Sequence, residues 1–120
     1  MFDAKSLEED EFIKALSFKI IGEIHDLLGS QELSVYQATS HLVNAGGKLL
    51  RPLLVLLGCR AVGGDIGNAL PTAAGIELAH IASLMHDDII DEVVRRRGVD
   101  AVHVKFGKPT AIVAGDLLLA

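Results

Sequence analysis

The stretch that decides the fold reads ELAHIASLMHDDIID and covers residues 77–91. Five of its polar side chains recur at helical spacing, so that at roughly 100° per residue they fall within an arc of about 100°. They are Glu77, His80, Asp87, Asp88 and Asp91. The other sides of the predicted helix are apolar, and such a surface needs cover from neighbouring elements. We therefore expect a largely buried helix that carries one stripe of acids and a histidine.

Two acids of this stripe, Asp87 and Asp91, lie four residues apart, so their carboxylates project from the same side of a helix. Like charges at this spacing destabilise a helix by roughly 0.2–0.5 kcal/mol, and acids near a helix C-terminus also oppose the helix dipole. A hard divalent cation would offset both costs, and carboxylate oxygens suit Mg²⁺. The alternative is a solvated acidic patch, which explains the position of these acids less well.

Three arginines, Arg95, Arg96 and Arg97, follow the acids and precede Gly98. Cations at the end of a helix complement its dipole, and that role is enough for at least one of them. A guanidinium also binds phosphate oxygens through two parallel hydrogen bonds. Acids that hold a metal ion beside arginines indicate a diphosphate site, because the metal and the cations neutralise the same anion.

A second basic segment, GGKLLRP, covers residues 46–52 between two predicted helices. Lys48 and Arg51 lie three residues apart near a helix start, where backbone N–H groups favour an anion. The two glycines allow a close approach of the backbone, although the residue order of a Walker loop is absent. Taken alone, the segment indicates a glycine helix end, a proline in a first helical turn and two surface cations.

Most of the remaining chain has the spacing of amphipathic helices. A capping box that opens at Ser6 predicts a first helix, which ends near Gly29. Its apolar face recurs at steps of three or four residues and comprises Ile13, Leu16, Ile20, Ile24 and Leu27. A second possible capping box opens at Ser34 and predicts a shorter helix that ends at Gly46.

Prolines mark the starts of the later helices, because proline suits the first helical turn. Pro52 predicts a third helix up to Gly63, Pro71 predicts a fourth up to about Val94, and Pro109 predicts a last one. Residues 99–106 alternate as a strand would, although a short helix or a loop fits equally well. The chain is therefore predicted to be almost entirely helical.

Composition bounds the class of protein. The chain has 120 residues, enough for one domain, and half of them are hydrophobic. It has 11 Lys and Arg against 16 Asp and Glu residues, a net charge of −5, and only 4% aromatic residues, so we expect no nucleic-acid partner. The single Cys59 excludes an internal disulfide. An acidic N-terminus without a signal peptide and the lack of a membrane-spanning run predict a cytoplasmic protein.

Taken together, the motifs closely resemble those of the trans-isoprenyl diphosphate synthases, also called polyprenyl synthetases. Their order and spacing agree across residues 46–120. The matching segments are GGKLLRP at 46–52, ELAH at 77–80, HDDIID at 86–91, RRG at 96–98, FG at 106–107 and AGDLLLA at 114–120. An aspartate motif alone is a weak signal, whereas these motifs in this order are specific.

The resemblance implies an all-α helical bundle of the isoprenoid synthase type, with the active site in a central cavity and a homodimer as the usual assembly. Residues 1–120 are expected to be the N-terminal part of that single domain, an incomplete bundle with the N-terminal helices only. Family members are longer and carry a second aspartate-rich motif on a later helix. We therefore expect this chain, alone, to bind diphosphate weakly and to turn over little or nothing.

The resemblance also implies roles for single residues. Asp87 and Asp91 would bind Mg²⁺ that bridges to the diphosphate of the allylic substrate, with Asp88 in support. Arg96 would hold the same diphosphate. The diphosphate of the second substrate, isopentenyl diphosphate, would be bound by Lys48, Arg51, His80 and Arg97. The implied reaction is a head-to-tail trans condensation by a prenyltransferase.

The length of the product is expected to depend on two positions before the aspartates. In the family, bulky residues four and five positions before the first aspartate limit the chain. Here Ser83 and Ala82 are both small, which implies a product longer than farnesyl diphosphate. A helical wheel places Ser83 beside Asp87 and turns Ala82 away. Ordinary packing of small residues is the alternative for both.

Three other functions stay open. A non-catalytic subunit or interaction module of a heteromeric prenyl diphosphate synthase would fit, but a scaffold has no need of Asp87, Asp91, Arg96 and Lys48. A terpene cyclase of similar fold needs no second diphosphate site, so the GGKLLRP segment and His80 favour condensation. A plain helical metal-binding protein would have no affinity for diphosphate.

Overall fold

A computed structural model describes residues 10–29 and 33–120. These residues form six helices and one small hairpin. The order is α1 (Glu11–Leu28), α2 (Leu33–Asn44), α3 (Leu50–Ala61), α4 (Ile66–Ile90), β1 (Arg95–Arg96), β2 (Val99–Asp100), α5 (Val102–Phe106) and α6 (Lys108–Leu119). The predicted helical fold is confirmed, and the one ambiguous segment divides into β2 and α5.

The chain divides into two compact units. The first unit comprises the residues up to Ile24 together with Lys48–Glu77. The second unit comprises His25–Gly47 together with Leu78–Ala120. The division falls inside α1 and α4, so each of these two helices contributes to both units. Each helix in the described ranges is either too short or too polar to span a membrane.

The start of α1 is capped by Asp10. Its Oδ1 atom accepts hydrogen bonds from the backbone N–H of Phe12 at 2.8 Å and of Ile13 at 3.2 Å. These are two of the amides that a helix start leaves without a partner inside the helix. The capping box predicted at Ser6 lies outside the described residues.

The buried face of α1 follows the predicted spacing with one correction. It consists of Ile13, Leu16, Ile20, Ile24 and Leu28. Leu27, which was expected on this face, is exposed, and Leu28 is buried in its place because the buried positions continue at steps of four from Ile20. Within the first unit, the guanidinium of Arg60 on α3 lies 4.9 Å from the centre of the Phe12 ring.

The ends of α3 match the prediction. Pro52 lies in the first turn, where a missing N–H costs nothing. At the other end Gly63 has a positive φ of 82°, and the N–H groups of Gly63 and Gly64 donate to the carbonyls of Arg60 and Cys59 at 3.0 and 2.9 Å. This is the Schellman motif, in which glycine takes the left-handed position after the helix.

Both predicted ends of α4 were wrong. The helix begins at Ile66, five residues before Pro71, which therefore lies inside it. Asp65 supports this earlier start, because its Oδ1 atom accepts from the N–H of Gly67 at 2.9 Å. The proline removes one backbone hydrogen bond near the helix start, and the long apolar helix tolerates that loss.

The C-terminal end of α4 comes at Ile90 rather than near Val94. Glu92 takes a left-handed φ of 56°, and its N–H donates to the carbonyl of Ile89 at 3.3 Å. The N–H of Val93 donates to the carbonyl of Asp88 at 2.9 Å. This is again a Schellman end, formed here by a glutamate in the position that glycine prefers.

In the second unit, α2 packs against both α5 and α6, and α5 packs against α6. The buried side chains are small or branched, among them Val35, Ala38, Leu42, Val102 and Ala111. The imidazole Nε2 of His41 on α2 lies 2.7 Å from the carbonyl oxygen of Asp100 and links α2 to the hairpin. The hairpin, which belongs to this unit, is therefore attached to α2.

Candidate functional site

The predicted stripe of acids divides into an exposed part and a buried part. Asp87 and Asp91 are exposed and lie one helical turn apart, and the N–H of Asp91 still donates to the carbonyl of Asp87 at 2.8 Å. The side chain of Asp88, between them, is only 1% exposed. The wheel had placed all three on one face, whereas the fold presents two carboxylates to solvent and buries the third.

The buried Asp88 is paired with Arg96. The guanidinium Nε atom lies 3.2 Å from both carboxylate oxygens, and Nη2 lies 2.5 Å from Oδ1. Such forked pairs are the strong form of a charged hydrogen bond, because two donors and two acceptors are aligned at once. Arg96 is thereby held beside the acidic end of α4.

A hairpin brings Arg96 back to α4. β1 and β2 pair antiparallel, with Arg95 opposite Asp100 and Arg96 opposite Val99. The two turn residues, Arg97 and Gly98, have φ values of 55° and 78°. Two consecutive positive φ values are the mark of the type I′ turn, whose twist matches that of two paired strands.

The three acids act on the charge of Arg96 together. The hydrogen bond to Asp88 raises the pKa of Arg96 above its usual value, desolvation works against it, and the charges of Asp88, Asp87 and Asp91 add to the rise. A base with a raised pKa stabilises the fold below its unfolded pKa and loses that contribution only as pH rises through the folded pKa. Arg96 therefore stays charged across the ordinary pH range.

The exposed pair Asp87 and Asp91 fits a divalent cation that keeps part of its water shell. Both present hard oxygen donors from one side of a helix, and within the described residues neither forms an ion pair. No cluster of three or more metal-binding side chains occurs in the part of the chain that the structure describes. Two carboxylates suit Mg²⁺, which is often held by one or two carboxylates together with substrate phosphates.

The other predicted residues of α4 lie one to two turns before the aspartates. Ser83 is exposed, and its hydroxyl donates to the carbonyl of His80 at 2.6 Å. Ala82 is fully buried. The predicted difference in direction between these two small residues is therefore confirmed, while their role in product length stays a prediction.

Arg97 leaves the hairpin turn in a different direction from Arg96. Its Nη1 atom donates to the carbonyl of Leu42 near the C-terminal end of α2, at 3.0 Å. Its guanidinium lies against Gly47, which has a positive φ of 144°. The two neighbouring arginines are thus held by different elements.

Lys48 and Arg51 belong to the first unit, at the start of α3. Both are exposed. Leu49, immediately before the helix, has a left-handed φ of 55° and forms no side-chain cap. The structure thus places these two cations at a helix start, as the motif predicts.

One contact of the acidic end was not predicted. His86 Nε2 lies 3.1 Å from the carbonyl oxygen of Ile112 on α6 and 3.5 Å from Oδ1 of Asp116. A Cβ atom on Gly115 would overlap the imidazole of His86, with Cδ2 only 2.7 Å away. The glycine before Asp116 was the available signal, since a glycine inside a helix often marks a close approach.

The comparisons with known proteins identify the family. The family model described as polyprenyl synthetase matches residues 32–120. The chain belongs to this family of all-α enzymes, and its described helices match their isoprenoid synthase folds.

The curated relatives are prenyl diphosphate synthases. A short chain isoprenyl diphosphate synthase of Methanothermobacter thermautotrophicus is 54% identical over 87 residues, which are 72% of this chain and 27% of the relative. A geranylgeranyl pyrophosphate synthase of Geoglobus acetivorans is 47% identical over 111 residues, 92% of this chain and 35% of the relative. The chain thus spans about a third of the length of the curated relatives it matches.

Solved structures agree with this assignment. The geranylgeranyl pyrophosphate synthetase of G. acetivorans has a TM-score of 0.83 over 90% of this chain and 36% of its own, at 47% identity. A polyprenyl synthase of Caulobacter crescentus, solved with calcium and isoprenyl diphosphate, has a TM-score of 0.84 over 97% of this chain and 35% of its own, at 31% identity.

Proposed function

We propose that this chain supplies the first aspartate-rich motif and the basic residues of a trans-prenyl diphosphate synthase. That enzyme condenses isopentenyl diphosphate with an allylic diphosphate. The observation that carries the proposal is the arrangement at the end of α4. Two exposed carboxylates, Asp87 and Asp91, lie one turn apart, and Arg96 is fixed beside them by Asp88. The relative from C. crescentus, which holds calcium and an isoprenyl diphosphate, supports a divalent cation here.

In the proposed reaction the allylic C–O bond breaks, and its electron pair leaves with the diphosphate. The double bond of isopentenyl diphosphate then supplies the electron pair of the new C–C bond, and loss of a proton restores a double bond. Arg96 would bind the departing diphosphate through donors that Asp88 does not use. Lys48, Arg51 and Arg97, with His80, would hold the second diphosphate.

Mg²⁺, held by Asp87 and Asp91, would supply charge neutralisation at the leaving diphosphate. Asp88 contributes in a different way, because it binds Arg96 and not solvent. We propose that its role is to position Arg96 and to leave two carboxylates, rather than three, for the metal. The small residues Ala82 and Ser83 support a product longer than farnesyl diphosphate. The homodimer and the cytoplasmic location stay predictions.

Calorimetry on the 120-residue chain tests the proposal. Isopentenyl diphosphate and an allylic diphosphate are titrated with and without Mg²⁺. We expect weak binding of both ligands, with Mg²⁺ required for the allylic one. Asp87→Asn and Asp91→Asn should each remove the Mg²⁺ dependence, whereas Asp26→Asn, an exposed acid on α1, should leave it intact. If both variants keep the Mg²⁺ dependence of binding, the proposed metal site is contradicted.

A turnover assay completes the test. With Mg²⁺ and both substrates, the chain alone is expected to show little or no product. Ordinary turnover would show that the expectation of an inactive chain is wrong. If the chain instead raises the activity of a partner synthase, and Asp87→Asn keeps that effect, the non-catalytic subunit is the correct function.

A further inference from the structure

The contact between Arg97 and Gly47 shows what the second glycine of the Gly46–Gly47 pair does. An ideal Cβ atom on Gly47 would lie 3.0 Å from Cζ of Arg97, 3.1 Å from Nη2 and 3.3 Å from Nη1. A Cβ atom on Gly46, by contrast, would meet nothing within 4 Å. Both glycines have positive φ values, but only Gly47 makes room for a side chain.

The guanidinium of Arg97 is held on a second side. Its Nη1 atom donates to the carbonyl of Leu42 at 3.0 Å. The last carbonyls of a helix have no amide partner inside the helix, and the negative end of the dipole lies there. A cation is therefore well placed at the end of α2, and the planar guanidinium lies flat on the following glycine.

The backbone of Arg97 directs the side chain to this place. Arg97 has a left-handed φ of 55° in the turn of the hairpin, an unfavourable conformation for a residue with a Cβ atom. Such residues persist where the surroundings hold them. The turn, the carbonyl of Leu42 and the open face of Gly47 each constrain the orientation of this arginine.

We propose that Leu42 and Gly47 form an arginine seat, which positions the guanidinium of Arg97 for the diphosphate of isopentenyl diphosphate. Gly47 is a positioning residue that acts through Arg97, because its lack of a side chain leaves room for the guanidinium in addition to permitting the positive φ. The assignment of the ligand rests on the proposed function, while the seat itself is a property of the folded chain.

The test compares Gly47→Ala with Gly46→Ala. Both changes place a Cβ atom at a positive φ, so Gly46→Ala measures the cost of backbone strain. Only Gly47→Ala displaces the guanidinium. In ¹⁵N-arginine-labelled chain without ligand, we expect the Nε–H signal of Arg97, assigned through Arg97→Lys, to shift in Gly47→Ala and to stay in place in Gly46→Ala. An unchanged signal in Gly47→Ala would overturn the seat.

The second readout is affinity for isopentenyl diphosphate. Gly47→Ala should weaken it roughly tenfold, which is the worth of one charge-assisted hydrogen bond. In an Arg97→Lys background, Gly47→Ala should weaken the affinity for isopentenyl diphosphate less than about twofold, because the arginine through which Gly47 acts is then absent. Equal losses in both backgrounds would show that Gly47 acts through the backbone alone.

A stability measurement covers the case in which Gly47→Ala fails to fold. Lysine carries a more compact cationic group than arginine, so Gly47→Ala combined with Arg97→Lys should regain a cooperative thermal transition. If Gly47→Ala does fold, the double variant should melt at a higher temperature. A double variant that is no more stable than the single one contradicts the proposal. If the parent chain binds no diphosphate while the labelled-arginine result holds, the proposed function fails and the seat stands.

Discussion

The acidic end of α4 and the basic start of α3 differ in how their charged groups are held. At the end of α4, side chains hold one another: Asp88 is buried against Arg96, and His86 contacts α6. At the start of α3, Leu49 has a left-handed φ, and the two cations, Lys48 and Arg51, are exposed. The first region is organised before any ligand arrives, and the second presents long side chains to solvent. Removing a charge should therefore affect folding in the first and binding in the second.

The largest effect is expected from Arg96→Met. It leaves the carboxylate of Asp88 buried without its partner, which costs about 3–5 kcal/mol in the free energy of unfolding. Asp88→Asn should cost less, because the arginine left behind is partly exposed. Arg95→Met is the control: its side chain is 63% exposed, and surface pairs contribute about 0–1 kcal/mol. Urea unfolding of the three variants gives the order of their losses in free energy of unfolding. Equal losses would contradict the view that the Asp88–Arg96 pair holds the end of α4 together.

Next in size is Gly115→Ala. The new methyl group would overlap the imidazole of His86, and overpacking of this kind costs about 1–3 kcal/mol. Gly75→Ala on α4 is the matched control, because a Cβ atom there meets nothing within 4 Å. An exposed helical glycine replaced by alanine should stabilise the chain by up to about 1 kcal/mol. Opposite signs in thermal melts are expected, and a loss in both would count against the close packing of His86.

A small change in stability is expected from Asp87→Asn. The variant loses repulsion from Asp91 and also attraction to Arg96, so the free energy of unfolding should move by less than about 0.5 kcal/mol. Its Mg²⁺-dependent binding of allylic diphosphate should nevertheless disappear. Urea unfolding beside calorimetry separates the two effects. A large loss of stability would mean that Asp87, like Asp88, is a structural acid.

The smallest change in stability is expected from Lys48→Gln at the basic start of α3. An exposed lysine removed from the surface should change the free energy of unfolding by less than about 0.5 kcal/mol. Affinity for isopentenyl diphosphate should fall and should depend less on salt concentration. Lys19→Gln, an exposed lysine on α1, serves as the control that leaves affinity unchanged. Equal affinity in both variants would remove Lys48 from the binding site.

Helix ends show how far the fold could be predicted from the sequence. The end of α3 could be predicted because Gly63 occupies the left-handed position, which glycine adopts without a steric clash from a Cβ atom. The end of α4 has the same hydrogen-bond pattern, but Glu92 fills that position. Nothing in a glutamate signals a helix end, so the helix was expected to continue to about Val94. The start of α4 was also predicted wrongly. Proline is favoured in the first turn of a helix, but Pro71 lies inside α4, five residues after its start.

For the three aspartates of the candidate site, the sequence predicted their position on one helix but not which carboxylate would be buried. Spacing along one helix correctly places Asp87 and Asp91 together. It could not separate Asp88 from them, because that separation depends on Arg96, which lies beyond the helix and returns through a hairpin. A helical wheel contains no information about residues outside the helix. The role of Gly47 was hidden in the same way, since its partner Arg97 is fifty residues further along the chain.

The hairpin gives three consecutive, chemically identical side chains three different destinations. Arg95 contacts the carbonyl of Gly98 and the carboxylate of Asp100. Arg96 pairs with the buried carboxylate of Asp88, and the guanidinium of Arg97 lies against Gly47. Each contact depends on the position of the arginine within the hairpin, not on the residue type. Deleting one arginine would therefore change the register between the two that remain and the turn at Gly98. The contact that each arginine makes is thus determined by its position in the hairpin, and three cations of equal charge are not interchangeable.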